Sequence, residues 1–345
     1  MTRLAFALLP LLFASPQQPA SEPPEQTQSE VGIDAPQPFE QWLDGLVHEA
    51  RNRGYSDEIV GQALTGLQPL VRVVQNDRTQ AELTIGFERY FGSRVNAAVI
   101  RRGREMAGQH RSLLARVERT YGVPRRIVLA IWGLESRYGR NIGRTPVFQA
   151  LATLAWEPRR ADFFRGQLFD ALTIVARGHT DVETMRGSWA GAMGQPQFMP
   201  SSYLEYAVDQ DGDGRRDIWG STPDVLASIA NYLKGHGWSR DQTWGREVRV
   251  TAAARARIEK AEIPGRESGC YAMRDMTERR PLREWQRLGV RLAGGGALPR
   301  ADFDAGLITV GDRSFLVYEN YDAILRYNCA HHYALSVAML AERLR

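Results

Sequence analysis

One carboxylate in the sequence stands where a proton donor could work. The segment from Pro124 to Gly139 reads PRRIVLAIWGLESRYG, and every residue from Ile127 to Leu134 is apolar or glycine. A helix with that composition is buried nearly all round. Pro124 suits its first helical position and Gly139 its stop. Glu135 continues the row Val128, Ile131 and Trp132 on one face, and the residues three and four away are Ile131, Trp132, Tyr138 and Gly139. No basic side chain on the helix can therefore pair with it. Burial among aromatic and aliphatic groups disfavours the ionised form of a carboxyl. An acid kept protonated near neutral pH is the group that protonates a leaving glycosidic oxygen. A buried glutamate satisfied by a distant arginine fits the same spacing.

A second chemical signal lies in AVDQDGDGRRDIWG, which places Asp209, Asp211, Asp213, Gly214 and Asp217 in the pattern D-x-D-x-D-G-x-x-D. These are positions 1, 3, 5, 6 and 9 of an EF-hand loop, with the Arg215 carbonyl at position 7. Carboxylates this close repel one another unless a hard cation neutralises them, so the loop is expected to hold a structural Ca²⁺. Position 12 is Gly220 instead of glutamate, and the next acid is Asp224. Asp224 is a candidate ligand that also complements the dipole of a helix beginning at Thr222-Pro223. The alternative is a solvated acidic turn. No organic cofactor is expected.

A third signal is GSWAGAMGQPQFMPSS, with Gly187, Gly191 and Gly194 among small and aromatic residues and with Pro196 and Pro200 behind them. Such a loop lets backbone approach a ligand closely. The Gln197 amide both donates and accepts, which suits sugar hydroxyls and N-acetyl groups, and Ser188 can do the same on a smaller scale. A purely structural turn explains the glycines equally well.

From GLESRYG onward the sequence resembles the lytic murein transglycosylase B family, whose catalytic glutamate sits in an I-W-G-x-E-S-x-Y-G helix. The resemblance continues through Gly187–Tyr203, SIANYLKGHGW (Ser228–Trp238) and NYDAILRYNCAHHYALSV (Asn320–Val337), nearly the whole chain beyond its N-terminal stretch. It implies a lysozyme-like helical core and Glu135 as a single acid/base. It also implies a groove lined by Ser188, Gln197, Asn231, Tyr232, Tyr327 and Tyr333, with Arg160 of EPRRADFF reaching the substrate. Tyrosine rings pack on pyranose faces while their hydroxyls hydrogen-bond. The implied substrate is the peptidoglycan glycan strand, cut at the β-1,4 bond between N-acetylmuramic acid and N-acetylglucosamine with formation of 1,6-anhydromuramic ends. One departure is Ala330, where the family usually has serine. Ordinary glycosidases use two carboxylates. Residues 187–202 contain none, and Glu157, Glu183 and Glu205 lie outside the motifs. A hydrolytic muramidase or chitinase, a non-catalytic wall-binding module and a calcium-regulated interaction protein are the alternatives.

The elements that must position these groups read as mainly α with a small β-containing insertion, an α+β chain. Residues 38–106 are expected to be helical, with Trp42, Leu43, Leu46, Val47 and Ala50 at helical spacing and Ser56-Asp57 capping a second helix. Residues 107–245 form the lysozyme-like core with the acidic loop. Residues 246–318 look β-rich, from the apolar runs Val248–Val250, Gly289–Leu292 and Leu307–Val310. Residues 319–345 close the groove, with a last helix from about Ala330 to Leu344. Cys270 and Cys329 are either one disulfide or two core thiols.

At the N-terminus Arg3 precedes the apolar run Leu4–Ala14, and a segment rich in Pro, Gln, Ser and Glu follows. Residues 1–15 are thus expected to be an export signal to the periplasm and residues 16–37 a disordered linker; a frayed apolar helix is the alternative. No cysteine near the end of the run supports a lipid anchor. The net charge of +4 is uneven: residues 1–37 sum to −3, leaving +7 on the remainder, nearly all of it arginine. A basic body suits an anionic polymer. Without a compact basic run with interleaved aromatics, nucleic acid is not an expected partner. The chain is expected to act as a monomer.

Overall fold

Sixteen α-helices and seven short strands are formed by residues 37–79 and 85–345, the part of the chain that this computed structural model describes. The expected signal segment and nearly all of the linker lie outside the described residues. No described helix is long and apolar enough to cross a membrane.

The N-terminal helices are α1 (Phe39–Asn52), α2 (Asp57–Leu64), α3 (Val71–Thr79), α4 (Phe87–Arg94) and α5 (Ala97–Gln109). In α1 the buried residues Phe39, Leu43, Leu46 and Ala50 recur at intervals of three and four, one stripe of an amphipathic helix. Ser56 caps α2 by accepting the Ile59 N–H at 3.3 Å. Asn96 caps α5 by accepting from Ala98 and Val99, both at 3.1 Å. Each of these side-chain caps satisfies helix-terminal amides at a worth of about 1 kcal/mol.

The core helices follow: α6 (Arg111–Tyr121), α7 (Arg125–Ser136), α8 (Val147–Trp156), α9 (Ala161–Ala176), α10 (Pro200–Tyr206) and α11 (Thr222–Gly235). Helix α7 is the axis of the molecule. Its residues 127–134 are all buried, and α5, α6, α11 and the C-terminal helix surround it. Between α7 and α8 the chain forms β1 (Thr145–Pro146), paired antiparallel with β2 (Arg186–Gly187).

The insertion holds β3 (Gly245–Arg249), β4 (Arg280–Pro281), β5 (Arg291–Leu292), β6 (Asp304–Val310) and β7 (Arg313–Val317) in one antiparallel sheet of order β4-β6-β7-β3-β5. All three expected apolar runs lie in or against its strands. The stretch also contains three short helices, α12 (Ala252–Lys260), α13 (Tyr271–Arg274) and α14 (Leu282–Leu288), so helix and strand share it about equally. Strands alternate faces with period two. Ile308, Val310, Phe315 and Val317 face the main core, whereas Ala305, Leu307 and Leu316 face a second, smaller core with Leu282, Trp285 and Tyr318.

The closing segment is two helices, α15 (Glu319–Tyr327) and α16 (His331–Arg343), the second at the place expected for the last helix. Asp322 on α15 takes the Arg266 and Arg279 guanidiniums of the insertion, each at 2.8 Å. The two cysteines form a disulfide from the cap of α13 to the turn between α15 and α16.

Candidate active site

Glu135 is the penultimate residue of α7, half-buried at the helix end. The helix stops at Ser136, a turn before Gly139, and Pro124 is its N-cap instead of its first residue. The early stop arises because three successive residues are left-handed: Arg137 (φ 52°), Tyr138 (φ 59°) and Gly139 (φ 82°). Only glycine adopts that region freely, and each other residue there costs about 1–2 kcal/mol. Packing offsets the cost. The Tyr138 ring turns back under α7, edge-on to Trp132 at 5.5 Å, and its hydroxyl donates to the Val99 carbonyl at 3.2 Å. A Cβ on Gly133 would sit 2.6 Å from that ring, so glycine is required in GLESRYG for close approach. Ser136 Oγ accepts the Gly139 N–H at 3.1 Å. The acid is thus mounted on a helix end with a determined exit path.

The Tyr333 hydroxyl, from α16, donates a short hydrogen bond to Glu135 Oε1 across 198 residues of sequence. Burial, then the Glu135 charge, push this phenol well above its ordinary value, so it stays a donor at any physiological pH. Tyr333 stacks on Tyr327 at 6.4 Å, and Tyr327 meets Tyr232 at 4.7 Å. The Tyr327 hydroxyl donates to the Pro196 carbonyl at 2.7 Å, and that of Tyr232 to the Arg326 carbonyl at 2.6 Å. Phe198 packs on both rings. These hydroxyls fix α11, the glycine-rich loop and the α15–α16 turn around Glu135.

In that loop Ser188 Oγ accepts from Ala190 and Ala192 amides, at 3.3 and 3.1 Å. A Cβ on Gly187 would run into the Ala192 carbonyl. Gln197 is left-handed (φ 54°), held by its own amide donating to Gly194 and Ile142 carbonyls at 2.7 and 3.0 Å. Such strain persists where surroundings over-determine it. Asn231 is half-buried, with Nδ2 donating to the Tyr206 carbonyl at 3.0 Å. Arg160 is paired with buried Asp77, which Arg159 shares, and lies over the Phe164 ring. Sequence reasoning missed Gln195. Its Oε1 accepts the buried Trp132 indole N–H at 2.8 Å, and its Nε2 donates to the Trp219 carbonyl at 2.8 Å. A buried tryptophan needs an acceptor, but spacing does not say which side chain supplies it.

In the acidic loop, Asp209, Asp211 and Asp213 bring one carboxylate oxygen each within 4.8 Å of one another. Gly212 and Gly214 are left-handed, at φ 82° and 87°. Three convergent carboxylates on a tight loop fit a hard, oxygen-preferring cation. Asp217 is turned elsewhere, accepting the Trp219 and Gly220 amides at 2.9 and 2.8 Å. Asp224 is fully buried and accepts from Gln210 and Asp217 amides at 2.7 and 2.8 Å, which braces the loop from behind. Burial raises Asp224 from its ordinary value, against the pull of those amides. The Arg215 amide donates to Asp213 at 2.8 Å.

Residues 38–342 match the model of the transglycosylase SLT domain. The membrane-bound lytic murein transglycosylase B of Escherichia coli K12 is 33% identical over 319 residues, which is 88% of this chain and 81% of that protein. SltB3 of Pseudomonas aeruginosa, solved in complex with NAG-NAM-pentapeptide, is 41% identical with a TM-score of 0.80, covering 89% of this chain and 79% of that one. The Escherichia coli lytic transglycosylase Slt35, solved in complex with calcium, is 29% identical with a TM-score of 0.73, covering 88% and 92%. The match runs unbroken from the N-terminal helices through the insertion to α16, and so the chain belongs to the transglycosylase SLT-domain family as an enzyme of the lytic transglycosylase type.

Proposed function

We propose that the protein cleaves peptidoglycan glycan strands by a single-acid, water-free route centred on Glu135. The protonated Glu135 carboxyl gives its proton to the oxygen between N-acetylmuramic acid and N-acetylglucosamine, and the muramyl C1–O bond breaks. The resulting carboxylate accepts the proton of the muramyl C6 hydroxyl as that oxygen closes on C1. The products are a 1,6-anhydromuramyl end and a free 4-hydroxyl, with Glu135 reprotonated. Such acid–base help is worth about 10²–10⁴ in rate, and the rest comes from positioning and from dipoles at the developing charge.

The observation that carries this reading is the Tyr333–Glu135 hydrogen bond at the end of a buried helix. It fixes one carboxylate oxygen and so sets the plane of the acid. Ser188, Gln197, Asn231, Tyr232 and Tyr327 would line the groove, whereas Arg160 is held by Asp77 and would have to leave it to touch substrate. Asp209, Asp211 and Asp213 would hold a structural Ca²⁺, with Asp217, Asp224 and the Arg215 carbonyl completing or bracing the site. The ion would supply charge neutralisation and loop rigidity. The Cys270–Cys329 disulfide supports an exported, oxidising location.

The test is digestion of purified sacculi followed by mass spectrometry. Wild type should release anhydro products lighter by one water than reducing ends, and Glu135→Gln should release none while keeping its fold. Reducing ends from wild type would mean hydrolysis, and turnover by Glu135→Gln would remove Glu135 from its role.

A further inference from the structure

Two cavities meet the N-terminal end of α7, the end opposite Glu135, and a third adjoins the first along α5. The first, about 630 Å³, is lined by Arg104, Arg111, Arg125, Arg126 and Arg345 against one carboxylate, Glu118. The second, about 760 Å³, shares Arg104 and adds Arg101 and Arg343 against Glu105. The third, about 260 Å³, shares Pro124 and Arg126 and adds Arg240 beside Asp241. The ion pair of Arg125 with Glu118, at 3.5 Å, neutralises little of this charge.

Two features make the excess costly to the free protein. Helices α6 and α7 have no acid in their first turns and no side-chain cap, and arginines occupy those turns. Cations at a helix N-terminus oppose the dipole by about 0.3–1 kcal/mol each. The third cavity is also lined by Trp238 and Gln242, and the Trp238 indole N–H, on a side chain 7% exposed, has no hydrogen-bond partner. An anionic oxygen in the third cavity would meet the α7 end beside Pro124 and the indole together.

We infer that this arginine-lined surface is a second substrate-binding site, taking the carboxylate-bearing stem peptides of a neighbouring peptidoglycan strand. The inference rests on the proposed peptidoglycan activity. Guanidinium groups clamp carboxylates with paired hydrogen bonds, and three linked cavities fit an extended chain better than a single ion. The exposed large hydrophobics among the described residues, Phe163 and Tyr271, lie outside this surface. That favours a peptide over a planar bilayer. Arg126 and Glu135 are nine residues apart on one helix, about 14 Å along its axis. The two sites therefore engage separate parts of the mesh, one cutting and one holding.

The test uses Arg111→Glu with Arg126→Glu, which places acids where the helix dipoles favour them and so keeps or raises the melting temperature. Binding to sacculi is measured in a Glu135→Gln background, so that the polymer stays intact. Affinity for peptide-bearing sacculi should fall at least tenfold, with a flatter dependence on salt, and Arg111→Lys with Arg126→Lys should restore most of it. On sacculi stripped of stem peptides by an amidase, parent and variant should bind alike. Unchanged affinity for intact sacculi, an equal loss on stripped sacculi, or a loss confined to phosphatidylglycerol vesicles would each overturn the inference. Turnover of a peptide-free tetrasaccharide by protein with Glu135 intact reports the cutting reaction separately. Its absence would remove the proposed activity while the binding comparison still decides the second site.

Discussion

Replacing Cys270 and Cys329 together by serine should destabilise the protein and slow it. The bridge closes a loop with a sequence separation of 59. In the chain-entropy treatment, a loop of that length removes about 14 cal/mol/K from the unfolded state, or about 4 kcal/mol at 25 °C. A body of roughly 300 residues unfolds with about 0.6 kcal/mol/K of entropy, so the melting temperature should drop by about 7 °C. Calorimetry of the oxidised, dithiothreitol-reduced and Cys270→Ser/Cys329→Ser proteins measures it, with the last two coinciding. Cys329 lies two residues beyond Tyr327 and four before Tyr333, so the loosened turn frees both rings beside Glu135. Turnover of sacculi should therefore fall more than affinity does. A drop of less than about 1 °C would refute the reasoning, because the loop would then already be closed in the unfolded reference or held entirely by the Asp322 ion pairs.

Tyr333→Phe removes a hydrogen bond that strengthens to about 1.5–3 kcal/mol as Glu135 ionises on giving up its proton, and kcat should fall about 10- to 100-fold with little change in melting temperature. Gln195→Leu strands the Trp132 indole and the Trp219 carbonyl, and should lower stability by about 2–4 kcal/mol in urea titration. Asp209→Ala with Asp213→Ala should abolish a calcium-dependent rise in melting temperature, which at a hundredfold excess over Kd is worth about 2.7 kcal/mol; a retained rise would retire that loop as the site. Burial lowers His110, His179, His236, His331 and His332 from their ordinary value of 6.5. Their neutral forms are favoured on folding, so this stability is present above pH 6.5 and is lost as pH falls through the lowered values. Urea midpoints should decline on acidification from pH 7 to about pH 5, less steeply in His331→Asn.

The course of α7 was legible because its apolar run has no competing reading, and α2 because Ser56 is a strong cap. What was not legible depended on partners distant in sequence. Tyr333 meets Glu135 across 198 residues, and the family resemblance, not spacing, pointed to it. The left-handed exit at Arg137 and Tyr138 defies local preference, since it is held by packing of Tyr138 under α7. Helix α12 was missed because only Ala254 is buried on it, so no apolar period marks it. Arg160 shows the converse. Its motif carried over, yet Asp77 from α3 holds it, and nothing in EPRRADFF reveals that acid.

The β6–β7 ribbon has an implication for how the insertion can come apart. One strand pair is the floor of the small core and the roof of the large one. Melting it would wet Phe315 and Val317 as well as Leu316, so the insertion cannot open privately while the catalytic body stays closed. Sequence drift on its outer helices is correspondingly cheap, because α12 and α14 lean on one side of the ribbon alone. Variation in that appendage can therefore accumulate without reaching the acid, and the ribbon is the line it cannot cross.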